Sequence, residues 1–300
     1  MTNVLTTGGD GFLGSILTSE LKEMAFVVRD LQDQSSHFVD ITRPFTIAST
    51  VSPDLIIHLA GKAHSVPKTP AEEKAFFDVN FEGTRHLCAA IDDLPSRPQA
   101  FVFISTVAVY GVDSGDFIDE SHPLNGATPY ARSKIQAEEY LQQWAADRRI
   151  RLVILRLPLI AGPTPPGNLG AMIKGIKTGR YLRIGKGNAR KSIIMASDIA
   201  AIIPKAAEIG GIFNLTDGYH PTFAQLEELI AGQSGKPTPK SIPVGVARLL
   251  GWTGDVIGKI FPVNSDTIKK ITSNLTFNDS KARKELGWSP RKVLDHFKIA

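Results

Sequence analysis

Val4-Leu-Thr-Thr-Gly8-Gly-Asp-Gly11-Phe-Leu-Gly14 sets three glycines at G-x-x-G-x-x-G spacing, between a short apolar run and a helix-like stretch. Glycine permits the tight turn and lets a pyrophosphate approach the backbone. The helix that follows offers phosphate its free N–H groups and the positive end of its dipole. A strand before it, a helix after it and a place at the head of an alternating pattern make this a dinucleotide-binding turn. Gly8, Asp10, Gly11, Phe12 and Leu13 are its candidate contacts.

Outward from the turn, short apolar runs alternate with helical periodicity. Val4-Leu5, Ala25–Val28, Phe38-Val39, Leu55–Leu59, Phe101–Ile104 and Leu152–Leu155 read as strands, and 13–24, 44–51, 72–92 and 128–148 as helices. That alternation predicts an α/β chain with a Rossmann-type, doubly wound parallel sheet. After Arg156 the texture changes: Ala161-Gly-Pro-Thr-Pro-Pro-Gly167 reads as a rigid loop, and short helices and strands follow a proline-rich connection at 237–243. The expected division is a dinucleotide-binding domain over 1–160, with a returning segment near 190–215, and a smaller C-terminal substrate lobe over 161–300.

The second strand ends Val28-Arg29-Asp30. A carboxylate there suits the ribose hydroxyls of NAD, and an arginine the extra phosphate of NADP. Arg29 comes first, so the reading is NAD(P) with a lean to NADP(H). Asp40, beside Ile41, is placed to meet the adenine amino group or to cap a helix.

Tyr130-Ala-Arg-Ser-Lys134 carries the chemistry. Four residues apart, tyrosine and lysine share a helix face. A phenol with a pKa of roughly 10 is a poor base at neutral pH. A nearby ammonium favours the phenolate, so Lys134 is expected to lower that pKa and let Tyr130 exchange a proton with an alcohol or carbonyl.

Composition narrows the classes. Hydrophobic content of 42% and charged content of 21% describe an ordinary globular protein. The net charge of +4 suits an anionic small molecule, and the positive residues read as scattered, which argues against a nucleic-acid partner. The single cysteine, Cys88, reads as a core filler and excludes an internal disulfide, in keeping with a reducing cytoplasm. No apolar run approaches the roughly 18 residues of a membrane span, and no signal core is apparent. The expectation is a cytoplasmic protein with no membrane or metal partner.

With both ends read, the chain resembles the extended short-chain dehydrogenase/reductase family, often called NAD-dependent epimerase/dehydratases. The resemblance runs over nearly the full length: Gly8–Gly14, His58-Leu-Ala-Gly61, Asn80-Phe-Glu-Gly-Thr84, Ser105-Thr106-Val-Ala-Val-Tyr110-Gly111, Tyr130–Lys134, Leu155–Pro163 and Asn278–Pro290. It implies that Thr106, four before the tyrosine of its motif, joins Tyr130 and Lys134 as catalytic residues. It also implies cofactor contacts from Leu59, Ala60, Gly61, Ser105, Tyr130 and Lys134, and a structural role for Asn80. Substrate contacts would come from Lys62, His64, Thr106, Asn168 and Arg190, the last two at the diphosphate of a nucleotide sugar. For Asn168 a helix cap, and for Arg190 a solvated loop charge, are the plainer alternatives.

Two departures refine the resemblance. Dehydratases of the family carry an Asp-Glu pair after the threonine, and this chain has Val107-Ala108, which cannot move protons. Well-studied 4-epimerases place an asparagine where this chain has Leu159. The segments around Arg156–Asn168 and His58–His64 look more like the 4-ketoreductases of UDP-linked 6-deoxy-hexosamines. The resemblance therefore implies hydride transfer at C4 of a nucleotide sugar, with a 4-epimerase as the alternative. A cofactor-sensing protein without chemistry and a reductase of a non-nucleotide ketone stand further back. It also implies a homodimer built on the helices at 72–92 and 128–148, where Phe76, Phe77, Ile135 and Leu141 suit either an interface or a core.

Overall fold

Successive residues of Ala100–Thr106 point to opposite faces of a buried strand: Phe101 and Phe103 to one apolar cluster, Val102 and Ile104 to the other. A strand buried on both faces needs helices on both sides, and the computed structural model supplies them. It describes residues 2–31, 39–257 and 265–300.

In chain order the elements begin β1 (Asn3–Thr7), α1 (Phe12–Glu23), β2 (Val27–Asp30), β3 (Leu55–His58), α2 (Pro70–Phe77), a π-helical turn (Asp78–Glu82), α3 (Gly83–Asp92) and β4 (Ala100–Thr106). They continue with a 3-10 turn (Val107–Tyr110), β5 (Gly115–Ile118), α4 (Pro129–Arg148), β6 (Arg151–Leu157), β7 (Leu159–Ala161), α5 (Gly167–Lys177), β8 (Arg183–Ile184), β9 (Ile193–Met195), α6 (Ala196–Ile209) and β10 (Gly211–Asn214). The chain closes with α7 (Phe223–Gln233), β11 (Ser241–Ile242), α8 (Val244–Ile257), α9 (Ser265–Thr272), β12 (Leu275–Phe277), α10 (Ser280–Leu286) and α11 (Val293–His296).

Six strands form one parallel sheet in the order β2-β1-β3-β4-β6-β10. Leu17 and Leu21 of α1 and Ile199 and Ile203 of α6 cover one face, while Leu87, Cys88, Leu141 and Trp144 of α3 and α4 cover the other. The sheet is therefore Rossmann-type and doubly wound, and Cys88 is the core filler expected of it. A separate cluster built on α5, α7 and β9 forms the core of the smaller lobe. The chain then returns: β12 pairs with β5, α10 packs on α6, and Trp288 is buried in the sheet's own core.

Two sequence expectations differ from what forms, and a third is narrowed. Of the strand expected at Phe38-Val39, Phe38 lies outside the described residues and Val39 belongs to no strand. The helix expected over 44–51 does not form: the segment is irregular, with one turn at 49–50. Thr46, Ile47, Thr50 and Val51 are β-branched and Ser49 and Thr50 carry hydroxyls that compete for backbone bonds, so apolar spacing alone does not make a helix there. Ile47 and Val51 still reach the core, from a loop. Phe76 and Leu141, offered as interface or core, are 1% and 0% exposed within the chain and belong to the core; Phe77 and Ile135 are half-buried.

Candidate active site

The turn between β1 and α1 is as tight as its glycines allow. Gly8 has φ +75, and a Cβ there would lie 2.8 Å from backbone atoms of Ala60. A Cβ on Gly14 would lie 2.0 Å from the Gly8 carbonyl, so the helix seats directly on the loop. Gly11 caps α1 in an extended conformation with no side-chain cap bond. Such a cradle, closed to a Cβ and backed by a helix N-terminus, fits a dinucleotide pyrophosphate. Leu13 packs against the core behind it, and the Phe12 ring lies against Gly162 at the exit of β7, where a Cβ would sit 2.8 Å from the ring. Asp10 is exposed on the turn.

Asp30 folds back over this loop: its carboxylate accepts from the Gly9 amide at 2.5 Å and from Thr6 Oγ1 at 3.2 Å. The side chain of Arg29, on which the lean to NADP rests, lies outside the description. Asp40 closes an exposed turn, accepting from the amide (3.0 Å) and hydroxyl (2.7 Å) of Thr42, and caps no helix. Its carboxyl is held below the usual range by the Thr42 hydroxyl bond first and the amide bond second. The Ile41 carbonyl takes a bond from His86 Nδ1 at 2.9 Å, pinning this turn to α3.

At the end of β3, His58 is wholly buried, with Nδ1 2.6 Å from Thr7 Oγ1 and Nε2 2.9 Å from Thr84 Oγ1. The Leu59 amide donates to Thr7 and the Ala60 amide to Thr7 Oγ1 (3.3 Å), so the segment leaving β3 is stitched beside the glycine turn. Lys62 is held through its backbone: Asn80 accepts from its amide at 2.7 Å and donates to its carbonyl at 3.0 Å, while also donating to Ser133 Oγ at 2.9 Å. One buried amide on the π turn thereby ties the β3 loop to α4. The Lys62 ammonium lies 5.5 Å from the centroid of the Phe76 ring.

Helix α4 starts with Thr128 as N-cap and Pro129 in its first turn. That start puts Tyr130 against Phe76, with its hydroxyl near the side chain of Thr106, the last residue of β4. Thr106 Oγ1 accepts from the Ala108 amide at 3.2 Å. Burial raises the Tyr130 pKa, and the neighbouring Thr106 hydroxyl opposes that. Lys134 sits one turn on, 4% exposed, donating to the Ile104 carbonyl at 2.8 Å and lying 4.4 Å from the Phe103 ring centroid. Its pKa falls to about 8 through burial, opposed by Glu138. A Cβ on Gly61 would lie 3.5 Å from its Nζ. The sequence reading had Lys134 lowering the Tyr130 pKa; here burial dominates Tyr130 and pushes it up, and the ammonium is satisfied by backbone and ring.

Ser105 faces inward, donating to Glu138 Oε1 at 2.5 Å, so its hydroxyl serves a buried network rather than the cofactor face. Glu138, 0% exposed, pairs with Arg156 (3% exposed) at 2.7 Å. Arg156 also donates to the Tyr110 hydroxyl (3.1 Å), which donates to Asn214 (2.7 Å). Sequence reasoning passed over Glu138. Its signal was there: it stands one turn beyond Lys134, on the same face.

His64 adopts φ +60, and its imidazole is packed so closely on Gly167 that a Cβ would lie 2.5 Å from Nδ1. Burial lowers its pKa. Asn168 follows in the first turn of α5, exposed, and α5 has no side-chain cap, so Asn168 is not the cap considered for it. Arg190 donates instead to the carbonyls of Tyr219 (3.3 Å) and His220 (3.4 Å) and is turned to the lobe's own loop. Among the described residues no bond joins it to His64 or Asn168. The glycine turn, β3 loop, Thr106, Tyr130, Lys134 and the Gly162–Asn168 segment thus gather at the carboxyl ends of the sheet strands, where open α/β sheets bind ligands.

Comparison with known proteins agrees with this architecture. The model of the NAD dependent epimerase/dehydratase family matches residues 4–215. The chain is 29% identical over 298 residues (93% of this chain, 88% of the relative) to N-acetyl-alpha-D-glucosaminyl-diphospho-ditrans,octacis-undecaprenol 4-epimerase of Escherichia coli O157:H7. Among solved structures, RMD from Pseudomonas aeruginosa complexed with NADPH superposes with a TM-score of 0.75 at 20% identity, covering 98% of this chain and 95% of the other. UDP-glucose 4-epimerase of Thermotoga maritima with UDP-glucose gives a TM-score of 0.75 at 22% identity, covering 98% and 96%.

Proposed function

The chain belongs to the NAD dependent epimerase/dehydratase family, within the extended short-chain dehydrogenase/reductases, and from that premise we propose that it is a nucleotide-sugar 4-ketoreductase. It is an NAD(P)-dependent enzyme; the finer assignment rests on one observation. Thr106 at the end of β4 stands with Tyr130 and buried Lys134 at the start of α4, and the residues after Thr106 are Val107 and Ala108. Such a site can move one proton on a sugar oxygen and has no second acid-base pair there to expel water.

Gly8, Gly11, Phe12 and Leu13 of the turn, with Leu59, Ala60 and Gly61 behind, would hold the dinucleotide, and Arg29 favours NADP(H). When bound, the nicotinamide supplies the hydride. Tyr130, kept protonated by burial, gives its phenolic proton to the C4 oxygen as that oxygen gains negative charge. Thr106 orients the same oxygen through its hydroxyl. Lys134 holds positive charge beside the developing phenolate and steadies the cofactor ribose. Lys62, His64 and exposed Asn168 lie towards the sugar and its diphosphate, with Arg190 recruited from the neighbouring loop. Leu159, partly buried against the lobe core, supports reduction over epimerisation because it brings no amide to the sugar. A homodimer through the α2–α3 and α4 helices completes the proposal.

A second reading, a 4-epimerase with tightly held NAD, is favoured by the names of the E. coli and T. maritima proteins. The two part in a cuvette. With a UDP-linked 4-keto-6-deoxy sugar, NADPH absorbance should fall one-for-one with substrate, and Tyr130→Phe should slow this by about 10²–10⁴-fold while still binding NADPH. Unchanged absorbance together with isomerisation of a UDP-hexose would overturn the reductase in favour of the epimerase.

A further inference from the structure

Among the described residues, four of the eight exposed large apolar side chains lie at one end of the C-terminal lobe: Leu182, Val246, Leu249 and Trp252. Three of these recur every third residue of α8, so they share one side of the helix. The opposite side is the buried one: Ala247 is 0% exposed and Gly251 abuts Ser265 at the start of α9. Leu182 joins the strip through the β8–β11 pair, where the Arg183 amide donates to the Lys240 carbonyl and Gly185 lies against Val244.

The setting carries more positive than negative charge, although Arg183 is paired with Glu227 and Glu228 and Asp255 is exposed at the next position of the α8 row. Residues 157–197 contain seven Lys or Arg and no Asp or Glu, and residues 229–254 contain three and none. The chain's net charge is only +4, so the remainder is net acidic: the positive residues are spread along the chain, and it is the acidic ones that avoid these two stretches. Lys186, Lys240 and Arg248 are exposed around the strip.

An apolar helix face flanked by exposed Lys186, Lys240 and Arg248 suits the headgroup boundary of a bilayer, where aliphatic side chains and tryptophan enter the acyl edge and Lys and Arg meet lipid phosphates. A second copy would bring the same positive charges face to face. Nucleic acid would leave Val246 and Leu249 without apolar cover. No described helix is long and apolar enough to span a membrane, so the contact would be peripheral. We propose that the α8 face docks on anionic phospholipid membranes, independently of the reaction assigned above.

Trp144 and Trp288 are 3% and 4% exposed and Trp252 is 62% exposed, so the protein carries its own reporter. The full chain should co-sediment with phosphatidylglycerol/phosphatidylcholine vesicles, and its tryptophan emission should shift to the blue. Leu249→Glu and, separately, Lys240→Glu/Arg248→Glu should each weaken sedimentation about tenfold, and Trp252→Phe should abolish the shift while leaving sedimentation largely in place. NADPH binding should be unchanged in all three. Equal binding to pure phosphatidylcholine, no binding to either vesicle, or a concentration-dependent dimer that Leu249→Glu dissociates in place of vesicle binding would each overturn the proposal.

Discussion

His58 is a titratable ring that the fold keeps neutral at neutral pH. Thr84 Oγ1 donates to the Asn80 carbonyl at 2.7 Å, so towards the imidazole it can only accept; Nε2 therefore carries the proton and Nδ1 accepts from Thr7. Burial, and then the Lys134 charge, hold its pKa at about 3, against 6.5 in the unfolded chain. Between those values the unfolded chain binds a proton that the folded one refuses. The stability linked to His58 is thus complete above pH 6.5 and drains away as pH falls towards 3, with a slope of at most about 1.4 kcal/mol per pH unit. His58→Asn cannot titrate, so its melting temperature should fall less between pH 7 and pH 5 than that of the wild type. Parallel slopes in thermal melts at matched ionic strength would remove His58 from the acid response. The same histidine shows what a motif conveys and what it omits. His58-Leu-Ala-Gly61 marked a segment behind the cofactor; the bonds fixing the ring come from residues 51 and 26 positions away, which no local pattern reveals.

The helix from Pro70 to Asp92 contains a π turn at Asp78–Glu82, and Asn80 stands in it. The wider turn is a common mark of functional sites in helices. Here Asn80 carries three bonds that hold the Lys62 backbone and Ser133 together, on either side of Gly61 and Lys134. Asn80→Ala takes the partners from the part-buried Lys62 amide and carbonyl, a cost of about 1–2 kcal/mol. It should also loosen the Gly61 wall, so NADPH titration by fluorescence should show affinity falling about tenfold, and urea unfolding should show the stability loss. A variant that loses stability but binds NADPH as before would separate the clamp from the cofactor site. The start of α4 was legible to within a residue, as Thr128-Pro129 is a cap and first-turn signal, whereas α2 begins at Pro70 behind its Thr69 cap, two residues before the expected 72. The π turn was not legible, since one extra residue in a turn scarcely disturbs a 3.6-residue period. The 44–51 segment misled for the converse reason: its apolar spacing records which side chains reach the core, from a loop as readily as from a helix. The Lys134 partner was hidden too, because the Ile104 carbonyl it meets is fixed by sheet geometry 30 residues away.

Across the whole molecule, the Arg156–Glu138 pair is the point where sheet, helix layer and returning chain are joined. Glu138 belongs to α4 and Arg156 to β6; Ser105 enters from β4, Tyr110 from the 3-10 turn and Asn214 from the edge strand β10. Asn214 carries the linkage outward, donating its amide to Glu120 at 2.7 Å and its side chain to the Ile118 carbonyl at 3.2 Å, beside the strand that β12 pairs with. Two ions fully removed from water contribute little net stability while paired, but either one alone is a buried charge without compensation. Glu138→Leu should therefore cost about 3–5 kcal/mol, and Arg156→Met a similar amount. The double variant Glu138→Leu/Arg156→Met removes both ions and should cost markedly less than the sum, with a coupling of about 0.5–3 kcal/mol. Ser105 and Tyr110 would still lose partners, so the double variant should not regain wild-type stability. Denaturant unfolding of the four proteins closes this cycle. Additive losses would mean that the pair sits among the three layers without joining them, and that Trp288, buried in the sheet's core with its indole N–H on the Thr216 carbonyl, holds the returning chain alone.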